Sequence, residues 1–294
     1  MSSEKISVII PCMRLGQARE LIGSLIKQVV LFDYEIIVVG ACADKLACDY
    51  KGYNIRAISQ SKINPSCARN LGARNAKGDI LIFLDDDCQI LDGFIDNFLD
   101  KLKEPQIGAV SAKIIGKSNK FFARCLDYSN FYEQMGNKEK NLHSIKVSLA
   151  IHRNFFNKLN GFDENIPVAE DVDFARRIKK SGFKVLYTPK SHLFHNHKRG
   201  TFRKLIKCNF KYGESAGLSV SSKHNCGLKD KIKNSSRRIY WVFVLPFSLF
   251  STYKACYEIA SLSFSWIFYI PFIFLAHFSY QAGILKKVVS DAVK

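Results

Sequence analysis

The chain has 294 residues, enough for one large domain with an appendage or for two modest domains. Lysine and arginine number 44 against 26 aspartates and glutamates, so the formal net charge is +18. This excess favours an anionic partner, either nucleic acid, an acidic membrane surface or a phosphorylated substrate. Apolar residues are concentrated after residue 239, which disfavours a soluble fold for that last part.

The nine cysteines argue against a zinc or dithiol site. No pair has C-x-x-C spacing, the number is odd, and several lie within apolar runs. Buried free thiols in a reducing compartment are therefore expected. The first residues lack a charged segment followed by a long apolar run, so no signal peptide is expected.

The first part of the chain alternates buried strands with amphipathic helices. Strands are predicted at 6–11, 35–39 and 55–59, and helices at 17–28 and 67–76. Because the connections are short, this alternation predicts a parallel sheet covered by helices. No G-x-G-x-x-G follows the first strand, which argues against a dinucleotide-binding fold.

Residues 80–88, ILIFLDDDC, carry the strongest chemical signal. The apolar run predicts a strand buried on both faces, and Asp85, Asp86 and Asp87 follow at its carboxyl end, where open α/β sheets bind ligands. Adjacent carboxylates suit a hard divalent cation, which would also take phosphate oxygens from a substrate. An acidic turn before the next helix is the structural alternative, and these nine residues do not separate the two.

The middle of the chain continues the alternation. Helices are predicted at 93–103 and 154–159, and strands at 108–115 and 145–151. The aromatic segment 117–141 is typical of either a lid or a helix packed on the sheet, and the helix is favoured.

A second acidic group opens the next predicted helix. Glu170, Asp171 and Asp173 lie in its first turn, where the helix dipole alone would favour carboxylates. A last strand is predicted at 183–187, and three histidines follow it: His192, His195 and His197. Their spacing matches no zinc motif, although a ligand role for one of them is plausible.

The remaining chain predicts membrane association. Residues 201–238 are basic with apolar residues at helical spacing, as in a helix on an anionic membrane surface. Two uncharged apolar runs follow within 239–285, and basic residues flank their outer ends. These features predict a transmembrane hairpin with both ends, including the tail 286–294, in the cytoplasm. A pair of re-entrant or in-plane helices that never cross is the alternative.

Together these motifs resemble the inverting glycosyltransferases of family 2. The resemblance covers about residues 5–200 and rests on segments in the family's order and spacing: SVIIP, EIIVV, CARNLGARNAKGD, FLDDD, NGFDE, AEDVDFARRIKKSGFKVLYTP and HLFH. It implies a GT-A fold, an α/β architecture with a mostly parallel, Rossmann-like central sheet and flanking helices, here followed by C-terminal membrane helices. The implied catalytic domain is 1–200.

The resemblance also assigns roles residue by residue. Asp171, with Glu170 beside it, matches the catalytic base. Asp85, Asp87 and His195 match groups that reach a divalent metal, Mn²⁺ or Mg²⁺, with Asp87 as the expected direct ligand. The residues matched to donor binding are Pro11, Asp44, Arg69, Asn70, Asp85 and Asp86.

One motif departs from the family. After EIIVV the family usually has an acidic run whose first aspartate contacts the nucleotide base, whereas this chain has Gly40, Ala41, Cys42 and Ala43. Either Asp44 substitutes from a shifted loop or other groups recognise the base.

The resemblance implies transfer of a single sugar from a nucleoside diphosphate sugar, a UDP-sugar in preference to a GDP-sugar. No Q-x-x-R-W element of processive synthases is present. The expected acceptor is a polyprenyl phosphate or lipid-linked glycan at the cell membrane, used by a cytoplasmic catalytic domain, with no nucleic-acid partner. The alternative is an inactive nucleotide-sugar-binding or scaffolding membrane protein, motivated by the missing acidic motif.

Overall fold

The computed structural model describes residues 4–29, 32–61, 64–166, 169–221, 237–260 and 264–292. The chain forms two compact units. The first comprises Met1–Lys117 and Asn137–His197, and the second comprises Ser118–Gly136 and Lys198–Lys294. The structure therefore groups a short insertion from the predicted catalytic domain with the C-terminal helices.

A nine-stranded sheet forms the centre of the first unit. Its strands are β1 (Ile6–Pro11), β2 (Tyr34–Val39), β3 (Ile55–Ile58), β4 (Ile80–Leu84), β5 (Cys88–Ile90), β6 (Ile107–Gly116), β7 (Lys140–Asn141), β8 (Ser148–His152) and β9 (Lys184–His195). Their order across the sheet is β3–β2–β1–β4–β8–β6–β9–β5, and β7 pairs with β9.

The described helices divide between the two units. Those of the first unit are α1 (Leu15–Val29), α2 (Ala43–Asp49), α3 (Pro65–Asn75), α4 (Phe94–Leu102), α6 (Arg153–Lys158) and α7 (Glu170–Lys180). Those of the second unit are α5 (Phe121–Asn130), α8 (Phe202–Ser221), α9 (Arg237–Ile259) and α10 (Ile270–Ala292).

The predicted α/β fold is confirmed, with a mixed sheet. Strands β1 to β4 are mutually parallel, as their alternation with helices predicted. Strand β8 lies between β4 and β6 and runs antiparallel to both, and β5 and β7 run antiparallel to β9. Every residue of β4 is buried, which explains why its sequence is continuously apolar rather than alternating.

The second unit is a helical cluster around α10. Its core consists of Cys125, Leu126, Leu205, Ala255, Ile259, Tyr269, Ile273 and Ala276. Helix α5 contributes to this core, so the prediction that segment 117–141 packs a helix on the sheet is wrong. An amphipathic pattern shows that one helix face is buried but does not show which element covers it.

The two apolar segments near the end of the chain form α9 and α10. Within the described ranges, one stretch is long and apolar enough to cross a membrane, Trp266–Ser290. Residues 222–236 of the predicted basic segment lie outside the described residues. The transmembrane hairpin therefore stays a prediction.

Candidate active site

The candidate site lies at the carboxyl edge of the parallel strands. Strand β4 ends at Leu84 and is followed by the three aspartates. Neighbouring β1 ends at Pro11, and the loop that follows it carries Arg14. Strand β8, antiparallel to β4, begins with Ser148 opposite Leu84, which brings the segment before it to the same edge. The predicted location of the aspartates is confirmed by this arrangement.

Asp86 forms hydrogen bonds with the loop that follows β1. One of its carboxylate oxygens accepts from the backbone amides of Met13 at 2.7 Å and Arg14 at 2.8 Å, and the other accepts from the Arg14 guanidinium. Burial raises the pKa of Asp86, while these hydrogen bonds from Arg14 and Met13 oppose the rise. Both oxygens of Asp86 are therefore engaged in holding the loop after β1, and its predicted contact with the sugar donor stays a prediction.

Asp87 lies between two basic side chains. Its Oδ2 accepts from Arg14 Nη1 at 2.6 Å, and its Oδ1 lies 3.3 Å from His195 Nε2. His195 reaches this position because it ends β9 directly opposite Cys88 of β5. Burial alone would raise the pKa of Asp87, but the interactions with His195 and Arg14 outweigh it and lower the pKa to about 2. Asp87 is therefore an anion throughout the physiological pH range.

Arg69 joins the two acidic groups that the sequence singles out. Its Nη2 donates to Asp85 Oδ1 at 2.7 Å, and its Nη1 donates to Glu170 Oε1 at 2.6 Å. The arginine comes from α3, whose first turn is fixed by Pro65 and by the Asn64 side chain that caps it. Burial acts to lower the pKa of Arg69, but the two carboxylates raise it above its ordinary value, so the guanidinium stays charged.

Asp171 is the more accessible acid at the start of α7. Its Oδ2 lies 2.9 Å from Lys146 Nζ, and its Oδ1 accepts from the amide of Val172 at 2.9 Å. Its neighbour Glu170 is 9% exposed and faces Arg69. Burial raises the pKa of Glu170, and the charge of Arg69 lowers it only in part. The two adjacent carboxylates therefore have separate partners and separate environments.

Asn70 has structural partners. Its side-chain amide donates to the carbonyl of Phe162 at 2.7 Å and to Glu164 at 3.0 Å, and its carbonyl accepts from the Phe162 amide at 2.9 Å. These bonds hold the turn before α7. Its predicted contact with the donor stays a prediction.

The loop after β2 requires glycine at position 40, the first residue of the segment 40–43 that departs from the family. Gly40 has φ of +141°, and a Cβ at this position would lie 2.3 Å from the carbonyl oxygen of Cys12. Only glycine accommodates this close approach of the chain ends of β1 and β2. Asp44 lies in the first turn of α2 and accepts from the Ser59 hydroxyl at the end of β3. Asp44 and Pro11 thus lie at the edge that the resemblance predicts for the donor.

Two of the three predicted metal ligands lie close together. Asp87 and His195 supply an oxygen and a nitrogen that lie 3.3 Å apart. Asp85, the third predicted ligand, instead pairs with Arg69. In the ranges that the structure describes, no group of three or more histidine, cysteine or acidic side chains could hold a metal ion by itself. The two remaining ligands fit Mg²⁺ or Mn²⁺, which bind proteins through one or two side chains and take other oxygens from water and phosphate.

Two basic residues at the site were not predicted from the sequence. Arg14 binds Asp86 and Asp87, and Lys146 binds Asp171. Arg14 follows the parallel strand β1, and Lys146 precedes β8, whose antiparallel pairing with β4 brings its start to the same edge. The signal available in the sequence was a basic residue next to a strand end at the same sheet edge as the acidic residues.

A comparison with protein families matches residues 7–160 to the family described as glycosyl transferase family 2. This match covers more than half of the chain. The chain belongs to glycosyltransferase family 2. It is therefore a glycosyltransferase, and the matched region contains β1 to β4, the three aspartates and Arg69.

Similar sequences include bacterial surface-glycan enzymes. The O-antigen chain rhamnosyltransferase RfbN of Salmonella typhimurium is 28% identical over 209 residues, which cover 66% of this chain and 67% of that protein. The O-antigen biosynthesis protein RfbC of Myxococcus xanthus is 24% identical over 220 residues, or 65% of this chain and 17% of that protein. The matched part of this chain thus corresponds to a small part of RfbC.

Solved structures share its GT-A-like fold. The mannosyltransferase PcManGT of Pyrobaculum calidifontis, in complex with GDP-Man and Mn²⁺, has a TM-score of 0.64 at 16% identity, covering 98% of this chain and 88% of that one. GalNAc-T7, with UDP, GalNAc and Mn²⁺, has a TM-score of 0.55 at 16% identity, covering 66% of this chain and 43% of that one. At this level of identity the likeness shows the fold alone.

Proposed function

We propose that this family 2 enzyme transfers a single sugar from a nucleoside diphosphate sugar to an acceptor hydroxyl with inversion of the anomeric centre. The supporting observation is Arg69, which binds Asp85 and Glu170 together. The acidic run after β4 and the acidic start of α7 therefore lie at one edge of the sheet. A donor-binding group and a proton acceptor on opposite sides of one carbon are what a single displacement requires.

In this mechanism Asp171 is the general base. The acceptor hydroxyl gives its proton to the Asp171 carboxylate while its oxygen attacks the anomeric carbon. The bond from that carbon to the diphosphate breaks as the new bond forms, so one displacement inverts the configuration. Both acids are ion-paired, Asp171 with Lys146 and Glu170 with Arg69. Asp171 suits this task better because its side chain and that of its partner are the more accessible, at 19% and 28% exposed, against 11% and 12% for Glu170 and Arg69.

Asp87 and His195 would hold a divalent cation, Mn²⁺ or Mg²⁺, which when bound supplies positive charge to the leaving diphosphate. The chain's own contribution is to keep Asp87 ionised and fixed by Arg14. The relatives solved with Mn²⁺ and UDP or GDP-Man support this class of donor and cation. The nucleotide is proposed to be UDP in preference to GDP, with Pro11, Asp44 and Asp85 at the donor side.

The proposed acceptor is a lipid-linked glycan or polyprenyl phosphate at the membrane, used from the cytoplasmic side. Two observations support this acceptor. The relatives RfbN and RfbC carry names from O-antigen biosynthesis. The second unit contains an apolar stretch of membrane-spanning length, Trp266–Ser290.

The test is release of nucleoside diphosphate from a panel of nucleotide sugars, with a lipid-phosphate acceptor and with Mn²⁺ or a chelator. Asp171→Asn should lower turnover at least about a thousandfold while donor binding persists. Asp100→Asn, on the exposed face of α4 beside Lys103, is the matched control and should keep full activity. Normal turnover by Asp171→Asn would refute the base assignment. Donor binding without turnover by the unaltered enzyme would favour a nucleotide-sugar-binding protein.

A further inference from the structure

Helix α9 exposes most of the large apolar side chains described in it, which lie within residues 244–259. Six of them form what we call the outer face: Leu245, Phe247, Leu249, Phe250, Tyr253 and Tyr257. Their exposed fractions run from 50% for Leu245 to 74% for Tyr257. At about 100° per residue they cover roughly 200° of the helix circumference, away from the buried side. A patch of this size on one element marks a contact surface rather than scattered apolar residues.

The opposite, buried side of α9 has Val244 and Ile259 at its two ends and small or hydroxyl residues between them. Ser248 and Thr252 are buried there, and each donates to the carbonyl four residues earlier. Thr252 also contacts His277 of α10 at 3.1 Å, and Ala255 completes the close packing. Between Val244 and Ile259, the inner side is therefore smaller and more polar than the outer face, which is unlike a water-soluble helix. This arrangement is typical of helices whose outer side contacts lipid.

The neighbourhood of α10 argues against a bilayer crossing. Helix α8 packs against α10 at glycines, since a Cβ on Gly213 would lie 1.9 Å from the Tyr280 carbonyl oxygen and one on Gly283 would lie 2.2 Å from the Phe210 carbonyl oxygen. The other side of α8 exposes four cations: Arg203, Lys204, Lys207 and Lys211. An α10 that crossed the bilayer would carry these cations into the hydrocarbon, which is strongly unfavourable.

The rim of the outer face carries groups that suit a lipid headgroup region. Lys254 Nζ lies 4.8 Å from the centre of the Phe250 ring, so its charge sits at the edge of the apolar surface. The phenol rings of Tyr253 and Tyr257 combine an apolar body with a polar tip, as residues at membrane interfaces do. A lysine at that level attracts anionic headgroups.

We infer that the outer face of α9 lies in a single leaflet of an anionic phospholipid membrane and attaches the enzyme without crossing it. The occupant is lipid rather than a second copy of the chain, because the face combines an apolar centre with a lysine and tyrosine rim. This attachment is independent of the sugar-transfer chemistry, so its test needs no turnover.

The test is flotation of the purified full-length chain with sealed phosphatidylcholine vesicles, with and without phosphatidylglycerol. Phe250→Glu should lower the floated fraction about tenfold or more, since a carboxylate enters the apolar interface poorly. Glutamate at position 250 lies one helical turn before Lys254. This i, i+4 pair of opposite charges is favourable on an exposed helix, so the variant should fold. Tyr53→Glu is the matched control, because Tyr53 is an exposed aromatic residue of the first unit, and it should float like the unaltered chain.

Three outcomes would overturn the inference. Phe250→Glu could float like the unaltered chain, which would remove the outer face from membrane binding. Protease added outside the vesicles could leave a protected fragment containing α10, which would show a crossing. The unaltered chain could fail to float yet form a dimer that Phe250→Glu dissociates, which would assign the face to a second copy.

Discussion

Arg69 and Glu170 form an ion pair, with 2.6 Å between Nη1 and Oε1, that joins α3 to α7. The arginine side chain is 12% exposed and also binds Asp85 after β4. One guanidinium therefore fixes the distance between the acidic run and the helix that carries the proposed base. Because the pair is largely buried, its loss would leave carboxylates without a counter-charge.

Replacing Arg69 tests this link. Arg69→Lys keeps a positive charge but lacks the planar fork that reaches Asp85 and Glu170 together. We expect a loss of about 1–3 kcal/mol in the free energy of unfolding and a fall of about a hundredfold in kcat from misplaced catalytic groups. Denaturant unfolding and steady-state transfer measure the two effects.

The control for this variant lies in the same helix. Arg74 has a side chain that is 61% exposed and contacts Glu164 at 3.3 Å, so Arg74→Lys should change stability and kcat little. Equal effects of the two substitutions would show that α3 is generally sensitive and that Arg69 has no special role.

Glu35 makes a second buried carboxylate network, away from the aspartates. It accepts from Ser7 at 2.6 Å and from Arg56 at 2.7 Å, and it is 2% exposed. Burial alone would raise the pKa of Glu35, but the hydrogen bonds from Ser7 and the Lys77 amide, with the charge of Arg56, hold it below its ordinary value. A lowered pKa in the folded state means that the ionised form stabilises the fold.

The stabilisation by Glu35 should therefore be present above pH 4.5, the ordinary pKa, and be lost as the pH falls below it. Glu35→Gln should cost about 1–3 kcal/mol at neutral pH. Its stability should also fall less steeply than that of the unaltered chain between neutral and acidic pH. Chemical denaturation across that range gives both curves, and parallel curves would exclude Glu35 from the acid response.

The sequence predicts the site's acids better than its basic partners. An apolar run followed by aspartates predicts β4 and its carboxyl end, because strand period and burial are local properties. The contact between Arg69 and Glu170 spans a hundred residues and depends on how α3 and α7 pack, which no local pattern encodes. Lys146 reaches the site because β8 pairs with β4 in the antiparallel direction, and the local sequence does not show which strands pair.

The reactivity of Cys12 tests the prediction that the chain has buried free thiols. Its side chain is fully buried after β1, and burial raises the pKa of the Cys12 thiol to about 12. Cys48, on α2, is exposed. Iodoacetamide at neutral pH should modify Cys48 in the folded enzyme and leave Cys12 unmodified until denaturant is added, as read by peptide mass mapping. Rapid modification of Cys12 in the folded enzyme would contradict its burial.

Replacing Gly40 tests the close approach between the ends of β1 and β2. Gly40→Ala places a methyl group against the Cys12 carbonyl at φ of +141°, so we expect a loss of about 2 kcal/mol or more in unfolding free energy. Gly16→Ala is the control, since no atom lies within 4 Å of its Cβ position and helix α1 should gain about 0.5–1 kcal/mol. Nucleotide binding should weaken in Gly40→Ala alone, because the loop after β2 must move. Unchanged stability in that variant would mean that the loop accommodates a side chain, and glycine would then not be required at position 40.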